Sequence, residues 1–506
     1  MVSHALRKIP ARLIVLALVF AAAHASASAQ AGRFLVVFPS TITTGEYAGD
    51  LDLFAALFAD DASLAWTAEQ PRPIAAQRYR EHAPTVVPDG LGGAWLAYTI
   101  EHTDTAFGGD QDILLRRIDR FGENVLGDSA ASVAVVAQST LTERNPRMVL
   151  LGGAILVVYE VIDRATGAHD VLAMKLDEQG MPLWPAPASV VRSARRERLA
   201  DVVGDGRGGA IAIVEAATGA DSALSVDIIA VHIDGSGRTG WGASSAPAIV
   251  AGSRHIERNP AVVADGLGGA YIAYEIEYVS GDRAGDRDIF AQHLTAQGAR
   301  EWVSESALPI VSSVPTATES MPVIALDTGG IVVAFEMNFP SEKRPVRLIG
   351  VQRMDVTGRL TWNKGKKPEL VMVPGRVVER AGLLSDGSGG IFLVAEARDT
   401  TSHDIDLYAQ KFTSMGEQLW VNGELPVALF KSDARERFAS AAPDGTGGLV
   451  AAAVKDFING DGAISRKIVA QRIGADGRIA WPQLGGPLLL SNTSTQDDRP
   501  TVIRVQ

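Results

Sequence analysis

Short apolar runs alternate with turn residues along most of this chain, and no stretch after Ala29 shows the 3.6-residue period of an amphipathic helix. A typical unit begins with a proline and a valine-rich run, which ends in a turn of the form D-G-x-G-G. Glycine permits the positive φ of a tight hairpin, so this turn predicts two antiparallel strands. A run that opens with aspartate and an apolar run after a tryptophan predict a third and a fourth strand.

The four-strand unit repeats at a nearly constant spacing, and its best copy runs from Pro260 to Trp302. The first glycines of the successive pairs lie 56 to 61 residues apart, at Gly92, Gly152, Gly208, Gly268, Gly329, Gly389 and Gly447. A unit of this length with four strands has the size of one β-propeller blade. A tryptophan recurs at one repeat position, where it is suited to packing between blades: Trp66, Trp184, Trp241, Trp302, Trp362, Trp420 and Trp481.

An eighth copy of the unit is divided between the two ends of the chain. Residues 32–38 resemble a second strand, and residues 49–66 match the third strand and its tryptophan, but no first strand precedes them. Pro500 begins a first strand that has no second strand after it. We therefore predict an all-β fold in residues 30–506: an eight-bladed β-propeller of four-stranded antiparallel blades. The C-terminal strand would complete the N-terminal blade and so leave no open edge.

The N-terminus has the composition of a secretory signal peptide. Arg7 and Lys8 precede an apolar run at residues 13–23, and Ala27-Ser28-Ala29 forms a small-residue cleavage site. We predict that residues 1–29 are removed near Ala29 and that the protein is secreted or periplasmic. Nothing later is apolar for ~18 residues, so no membrane span is expected.

The composition narrows the function classes further. The chain has no cysteine, so packing must stabilise it without disulfides. Its formal net charge of −12 with no basic patch argues against a nucleic-acid partner.

Carboxylates recur on both sides of the loop that joins the second and third strands. Five glutamates end the second strand: Glu160, Glu215, Glu275, Glu336 and Glu396. Six aspartates open the third strand: Asp52, Asp112, Asp170, Asp227, Asp288 and Asp406. One hypothesis is an anionic ring that binds cations or a basic partner. The hypothesis that we favour is structural, because arginines recur near the first strand and could form bidentate bonds that link one blade to the next.

Metal and catalytic motifs are weak. Asp282, Asp286 and Asp288 share one loop and are the candidates for a calcium site, although a solvated loop is the favoured interpretation. His232 and His293 fall at a repeat position that other copies fill with lysine or arginine, which indicates a strand face. No G-x-S-x-G elbow, phosphate loop or dinucleotide fingerprint occurs in a suitable context.

The D-G-x-G-G-A and D-I-x-A-Q-R segments resemble those of secreted bacterial β-propeller repeat proteins. The G-x-x-x-W turn is similar to the tryptophan-docking motif of eight-bladed quinoprotein-like propellers, which include scaffolds without a cofactor. The resemblance covers nearly all of residues 30–506 and implies the fold, while propellers of this kind serve as enzymes, lectins and scaffolds alike. Uniform spacing and the lack of cysteine argue against a quinone enzyme.

The sequence therefore predicts a monomeric, non-catalytic binding or scaffold protein with a protein or glycan partner outside the cytoplasm. No cofactor is predicted, and calcium is left open as a ligand. The alternative is a polysaccharide-acting enzyme, of the glycoside hydrolase or lyase type, that uses carboxylates near a central channel. Glu275 and Glu336 are its candidate acid and base.

Overall fold

The computed structural model describes residues 32–43, 48–66, 71–77, 79–103, 108–126, 133–193, 196–217, 225–302, 310–340, 346–422, 425–458, 462–491 and 495–505. The predicted signal peptide lies outside these residues. No helix in them is long and apolar enough to cross a membrane. The described helices are two short 3₁₀ turns, Trp362–Gly365 and Pro482–Leu484.

The fold is all-β, as the turn and strand pattern predicts. In the described residues the strands are β1 Arg33–Ile42, β2 Leu51–Ala59, β3 Arg72–Ala75, β4 Arg80–Pro88, β5 Ala94–Glu101, β6 Gln111–Ile118, β7 Ala134–Ala137, β8 Thr142–Leu150, β9 Ala154–Ile162, β10 His169–Asp177, β11 Ala188–Val191, β12 Glu197–Gly204, β13 Ala210–Ala217, β14 Val226–Ile233, β15 Ala248–Ala251, β16 Ile256–Ala264, β17 Ala270–Glu277, β18 Arg287–Leu294, β19 Ile310–Ser312, β20 Thr318–Asp327, β21 Gly330–Phe339, β22 Val346–Asp355, β23 Glu369–Val371, β24 Arg376–Ser385, β25 Ile391–Asp399, β26 Ile405–Phe412, β27 Val421–Asn422, β28 Leu425–Phe430, β29 Glu436–Pro443, β30 Leu449–Ile458, β31 Ile464–Ile473, β32 Leu488–Leu489, β33 Thr495–Asp497 and β34 Thr501–Arg504.

These strands form a succession of four-stranded antiparallel sheets. Four sheets follow the simple orders β4-β5-β6-β7, β8-β9-β10-β11, β20-β21-β22-β23 and β29-β30-β31-β32, and a fifth runs β24-β25-β26-β28 with β27 on its edge. Strands β12–β15 and β16–β19 form two further meanders, which a single parallel pair between Val226 and Ile256 joins. Each meander corresponds to one copy of the sequence repeat, so the predicted succession of four-stranded units is confirmed.

The first sheet takes strands from both ends of the chain. β1 pairs with β2 on one side and with β33 and β34 on the other, with Phe34 opposite Arg504 and Ser40 opposite Asp497. Its apolar face packs against the last meander, where Phe58 meets Trp481 edge-on at 5.8 Å between ring centroids. The first strand of each meander also lies beside the first strand of the next, in the order β4, β8, β12, β16, β20, β24 and β29, and β34 touches both β29 and β4.

The recurring tryptophans connect neighbouring sheets. Trp302 Nε1 donates a 2.9 Å hydrogen bond to the Val356 carbonyl, which belongs to the turn of the next meander. The indoles of Trp66, Trp184, Trp362, Trp420 and Trp481 make the same contact, to the carbonyls of Arg120, Gly235, Ser414, Ala475 and Asp60. Trp241 instead donates within its own sheet, to the Ala230 carbonyl at 3.5 Å. The predicted packing of tryptophan between repeats is therefore present, with a hydrogen bond in addition.

A turn glycine with no room for a side chain lies beneath six of the seven indoles, whereas Ala62, with φ +69°, takes that place beside Trp481. Gly358 has φ +79°, and a Cβ there would lie 2.8 Å from Trp302 Cγ, whereas Gly266 has a similar φ of +74° with nothing within 4 Å. We expect Gly266→Ala to lower the free energy of unfolding by ~1–2 kcal/mol through backbone strain alone. Gly358→Ala should cost a further ~1–3 kcal/mol from overpacking. Urea unfolding measures both values, and equal losses would contradict the indole contact.

Candidate functional site

The five predicted glutamates occupy equivalent places and make equivalent bonds. Each side chain reaches out of its own sheet and accepts a backbone N–H from the first strand of the next meander. The bonds are Leu199 N–H to Glu160 (2.9 Å), Asn259 to Glu215 (2.7 Å), Met321 to Glu275 (3.0 Å), Arg380 to Glu336 (3.0 Å) and Phe438 to Glu396 (3.0 Å). These carboxylates therefore connect neighbouring sheets.

Local irregularities in the first strands explain why these N–H groups need a partner from outside. The register of β16 against β17 shifts between Arg258 and Ala261, and Asn259 in this bulge has φ +51°. A bulge removes one residue from the hydrogen-bonded ladder, and an unpaired buried N–H is costly. The glutamate of the preceding sheet accepts that N–H, so each bulge depends on a carboxylate from the neighbouring sheet.

The arginines near the first strand do not link the sheets in the way that the sequence suggested. Arg198 makes a bidentate contact with Glu215, at 2.9 and 2.5 Å, but the two residues lie opposite each other on adjacent strands of the same sheet. Arg144 and Glu160 are likewise cross-strand neighbours, at 3.1 Å. The prediction of arginine bridges between blades is therefore wrong for these pairs, because the arginine and the carboxylate share one register position.

A second set of glutamates, which the sequence analysis missed, begins the first strands. The side chains are almost fully buried: Glu81, Glu143, Glu197, Glu257, Glu319 and Glu436. Several accept a hydroxyl from the serine four residues earlier, as Ser253 donates to Glu257 at 2.5 Å. The signal was present as a recurring S-x-x-x-E spacing, visible at Ser139, Ser193, Ser253 and Ser432.

These buried glutamates face the aspartates that open the third strand of the preceding meander. Asp52 is hydrogen-bonded to Glu81, and we call this arrangement an inter-sheet carboxyl pair. Burial, reinforced by the charge of Asp52 and opposed by the Gln77 N–H, raises the pKa of Glu81 to about 9. Burial together with the charge of Asp50 raises the pKa of Asp52 to about 6. The pair therefore retains at least one proton at neutral pH.

The other copies of this pair differ in how their charge is compensated. Lys455 Nζ lies 2.8 Å from Glu436, and Arg376 lies 2.9 Å from the Asp406 that faces it. Burial is the largest cause that raises the pKa to about 7 at Glu143, Glu257 and Glu319. The pairs are thus neutralised by protons in some sheets and by side-chain cations in others.

Two of the three aspartates proposed as calcium ligands, Asp286 and Asp288, form ion pairs with an arginine of the same loop. The Arg283 guanidinium lies 2.6 Å from Asp286 and 2.5 Å from Asp288, and the Tyr278 hydroxyl donates to Asp288 at 2.8 Å. Asp282 is exposed at the surface of the loop. Within the described ranges, no three His, Asp or Glu side chains are placed to hold a metal ion. Calcium at this loop stays a prediction, and binding there would require Arg283 to move away.

The two in-register histidines have the structural place that the repeat predicted. His232 contacts Asp205 and His293 contacts Asp265, each at 2.9 Å. In both cases the aspartate belongs to the D-G-x-G-G turn and also accepts turn N–H groups. Arg353 and Arg472 contact the corresponding aspartates, Asp327 and Asp444, of their own turns. A basic side chain at this position therefore fixes the first hairpin of a sheet.

Known proteins resemble this chain only distantly. No protein-family model and no curated protein sequence matches the chain. Among solved structures, the β-propeller domain of the Trilobed protease from Pyrococcus furiosus matches 82% of this chain and 96% of its own, with TM-score 0.41 and 10% identity. The α-L-arabinanase of Penicillium chrysogenum, complexed with arabinobiose, matches 64% and 92%, with TM-score 0.34 and 12% identity. An exo-1,5-α-L-arabinanase from a bovine ruminal metagenomic library matches 55% and 96%, with TM-score 0.29 and 12% identity. Likenesses of this size carry no inference about activity.

The bond from a second-strand glutamate to the next sheet can be tested by its effect on stability. Glu275 is fully buried and accepts the Met321 N–H, whereas Glu277, two residues later on the same strand, is partly exposed and pairs with arginines. Glu275→Ala should lower the free energy of unfolding by ~2–3 kcal/mol, because the Met321 N–H loses its bond to a buried carboxyl group. Glu277→Ala, the matched control, should cost less than ~1 kcal/mol. Similar losses in urea unfolding would show that the Met321 bond is unimportant.

The carboxyl pair at Glu81 predicts a pH dependence. A carboxyl group with a raised pKa in the folded state stabilises the fold below its ordinary pKa, and this contribution is lost as the pH rises through the folded value. Glu81, whose pKa is raised from 4.5 to about 9, should therefore make stability fall progressively from about pH 5 to about pH 9, by at most ~1.4 kcal/mol per pH unit. Glu81→Gln should flatten that part of the melting-temperature profile, whereas Glu123→Gln, at an exposed side chain, should not. Identical slopes for Glu81→Gln and the parent protein would contradict the assignment.

Proposed function

We propose that this protein is a non-catalytic binding or scaffold propeller that acts outside the cytoplasm. The observation that carries the proposal is the use of the repeated carboxylates. Glu275 is fully buried and Glu160 and Glu396 nearly so, and all five predicted glutamates accept an N–H from the neighbouring sheet. Carboxylates bound in this way support the framework, which leaves the variable loops and the strand edges for partners.

We also infer that the sheets form eight blades in a closed ring, as in the secreted bacterial propeller proteins that the repeat resembles. Three observations support this inference. β34 lies between β1 of its own sheet and the neighbouring first strands β29 and β4. Trp481, in the last meander, donates to the Asp60 carbonyl of the first sheet at 2.7 Å. One cavity of about 430 Å³ is lined from five different first strands, by Ala200, Ala261, Ile324, Leu383 and Ala441 among others.

The proposed location follows from the N-terminal sequence. Residues 1–29 have the order of a secretory signal, and the absence of cysteine is compatible with an oxidising compartment. A partner in that compartment would be a protein or a glycan. We propose that the mature chain binds it as a monomer.

The alternative function is that of a polysaccharide-acting enzyme. One observation favours it: burial, although opposed by Arg380, raises the pKa of Glu396 to about 7, a value suited to a general acid. However, Glu396 is almost fully buried and accepts the Phe438 N–H at 3.0 Å. A substrate would have to displace that bond, which is why we place the alternative second.

The two functions can be separated with the purified mature protein. Binding is measured on a glycan array and by pull-down from envelope extract, and cleavage is measured as new reducing ends or unsaturated products from a panel that includes arabinan. We expect binding without products, and the same binding after Glu275→Gln with Glu336→Gln, because the amide oxygen still accepts the Met321 and Arg380 N–H groups. Products formed by the parent protein would establish the alternative, and their loss in the double variant would assign the reaction to Glu275 and Glu336. A protein that recovers no partner or glycan and forms no product would contradict both functions.

A further inference from the structure

A pocket beside the strand from the C-terminus collects positive charge on an acidic protein. It measures about 410 Å³, and its lining includes Arg380, Arg437, Arg499, Asp498 and Thr501. We call it the arginine pocket. The three arginines come from three neighbouring first-strand segments, in β24, in β29 and just before β34. The chain as a whole has a formal net charge of −12, so this clustering is a local exception.

Two of the arginines stand at the first-strand bulge, in the positive-φ conformation that recurs along the chain. Arg380 has φ +52° and Arg499 has φ +39°. Asn145, Asn259 and Met321 adopt the same conformation at the corresponding bulges, so the backbone here follows the repeat and the side chain is what differs. At the equivalent bulge of β8, Asn145 uses its side-chain amide to bond Glu160 and the Leu199 carbonyl. Arginine at this position therefore places a cation where β8 has a structural amide.

The charge of the pocket is only partly compensated. Arg380 lies 3.9 Å from Glu396 and has a side chain that is 68% exposed. Arg437 pairs with Asp456 at 3.0 Å through one terminal nitrogen, while its buried Nε has no hydrogen-bond partner. Among the described residues Arg499 makes no ion pair, and the adjacent Asp498 accepts the Arg499 backbone N–H. Three arginines and one acid, Asp498, thus line the pocket.

We propose that the arginine pocket binds a phosphate or sulfate group that is carried on a sugar-sized molecule. Guanidinium groups match the oxygens of such oxyanions in bidentate geometry, and three of them suit a group with three free oxygens. A volume of about 410 Å³ exceeds the space of a bare oxyanion and falls in the range of small-ligand pockets. The proposal deepens the binding function proposed above and rests on it, because it names the chemical class of the ligand.

The test uses isothermal titration calorimetry on the mature protein with glucose 6-phosphate, glucose 6-sulfate, inorganic phosphate, inorganic sulfate and glucose. We expect one or both esters to bind, at least tenfold more tightly than the free ions, and glucose not to bind. Arg380→Gln and Arg499→Gln should each weaken binding by about tenfold. Asp498→Asn should strengthen it, because the one acid of the lining is neutralised. Arg238→Gln, at an exposed side chain that pairs with Asp234 in a turn, should leave it unchanged.

The direction of the Asp498→Asn effect keeps the test independent of folding defects, since misfolding cannot improve affinity. The proposal is overturned if neither ester binds at low ionic strength. It is also overturned if the Arg380 and Arg499 variants bind as the parent protein does while their melting curves are normal. Glycan-array binding that is insensitive to phosphate, sulfate and these substitutions would leave the broader binding function standing and remove the arginine pocket from it.

Discussion

The structure depends on one constraint: a backbone N–H that a bulge has removed from its own sheet must be accepted by another sheet. The first strands are bulged in most repeats, with φ near +50° at residues such as Asn259 and Met321. The glutamate of the preceding meander supplies the missing acceptor. Since a free N–H of this kind costs ~1–3 kcal/mol, each bulge makes its sheet dependent on a neighbour. A meander of this sequence is therefore incomplete on its own, and the tryptophan contacts add to that dependence.

The sequence allowed the repeated framework to be predicted well, because the framework rests on residues whose conformational demands are local. The glycines of D-G-x-G-G specify a hairpin wherever they occur, and Trp302 and its counterparts recur at a fixed distance from them. The pairing of β34 with β1 could also be predicted, since a first strand at Pro500 and a second strand at Gly32 are each incomplete alone.

The contacts that could not be predicted join different sheets, and the glutamates lie 39 to 46 residues from the N–H groups that they accept. Arg198 and Glu215 have suitable charges for a bridge between sheets, but the register places them opposite each other within one sheet. The glutamates instead accept main-chain N–H groups. A main-chain donor does not require any particular side chain, so the sequence does not reveal which residue donates. The pairing of Glu81 with Asp52 could not be predicted for a related reason. Both side chains are acidic, and they can lie side by side only because burial keeps a proton on the pair.

The carboxyl pairs also show how a strongly acidic chain can bury so much acid. Ionised pairs at these depths would repel each other, but a proton at Glu81, Lys455 near Glu436 and Arg283 near Asp288 remove most of that repulsion. Lysine and arginine side chains that are paired with carboxylates inside the framework are not available to bind a ligand. Arg499 differs in this respect, because its position follows the last complete repeat and no described carboxylate side chain pairs with it. In a repeat protein whose ordinary copies satisfy their charges internally, the copy assembled from both ends is where unused charge can collect, and the arginine pocket lies beside it.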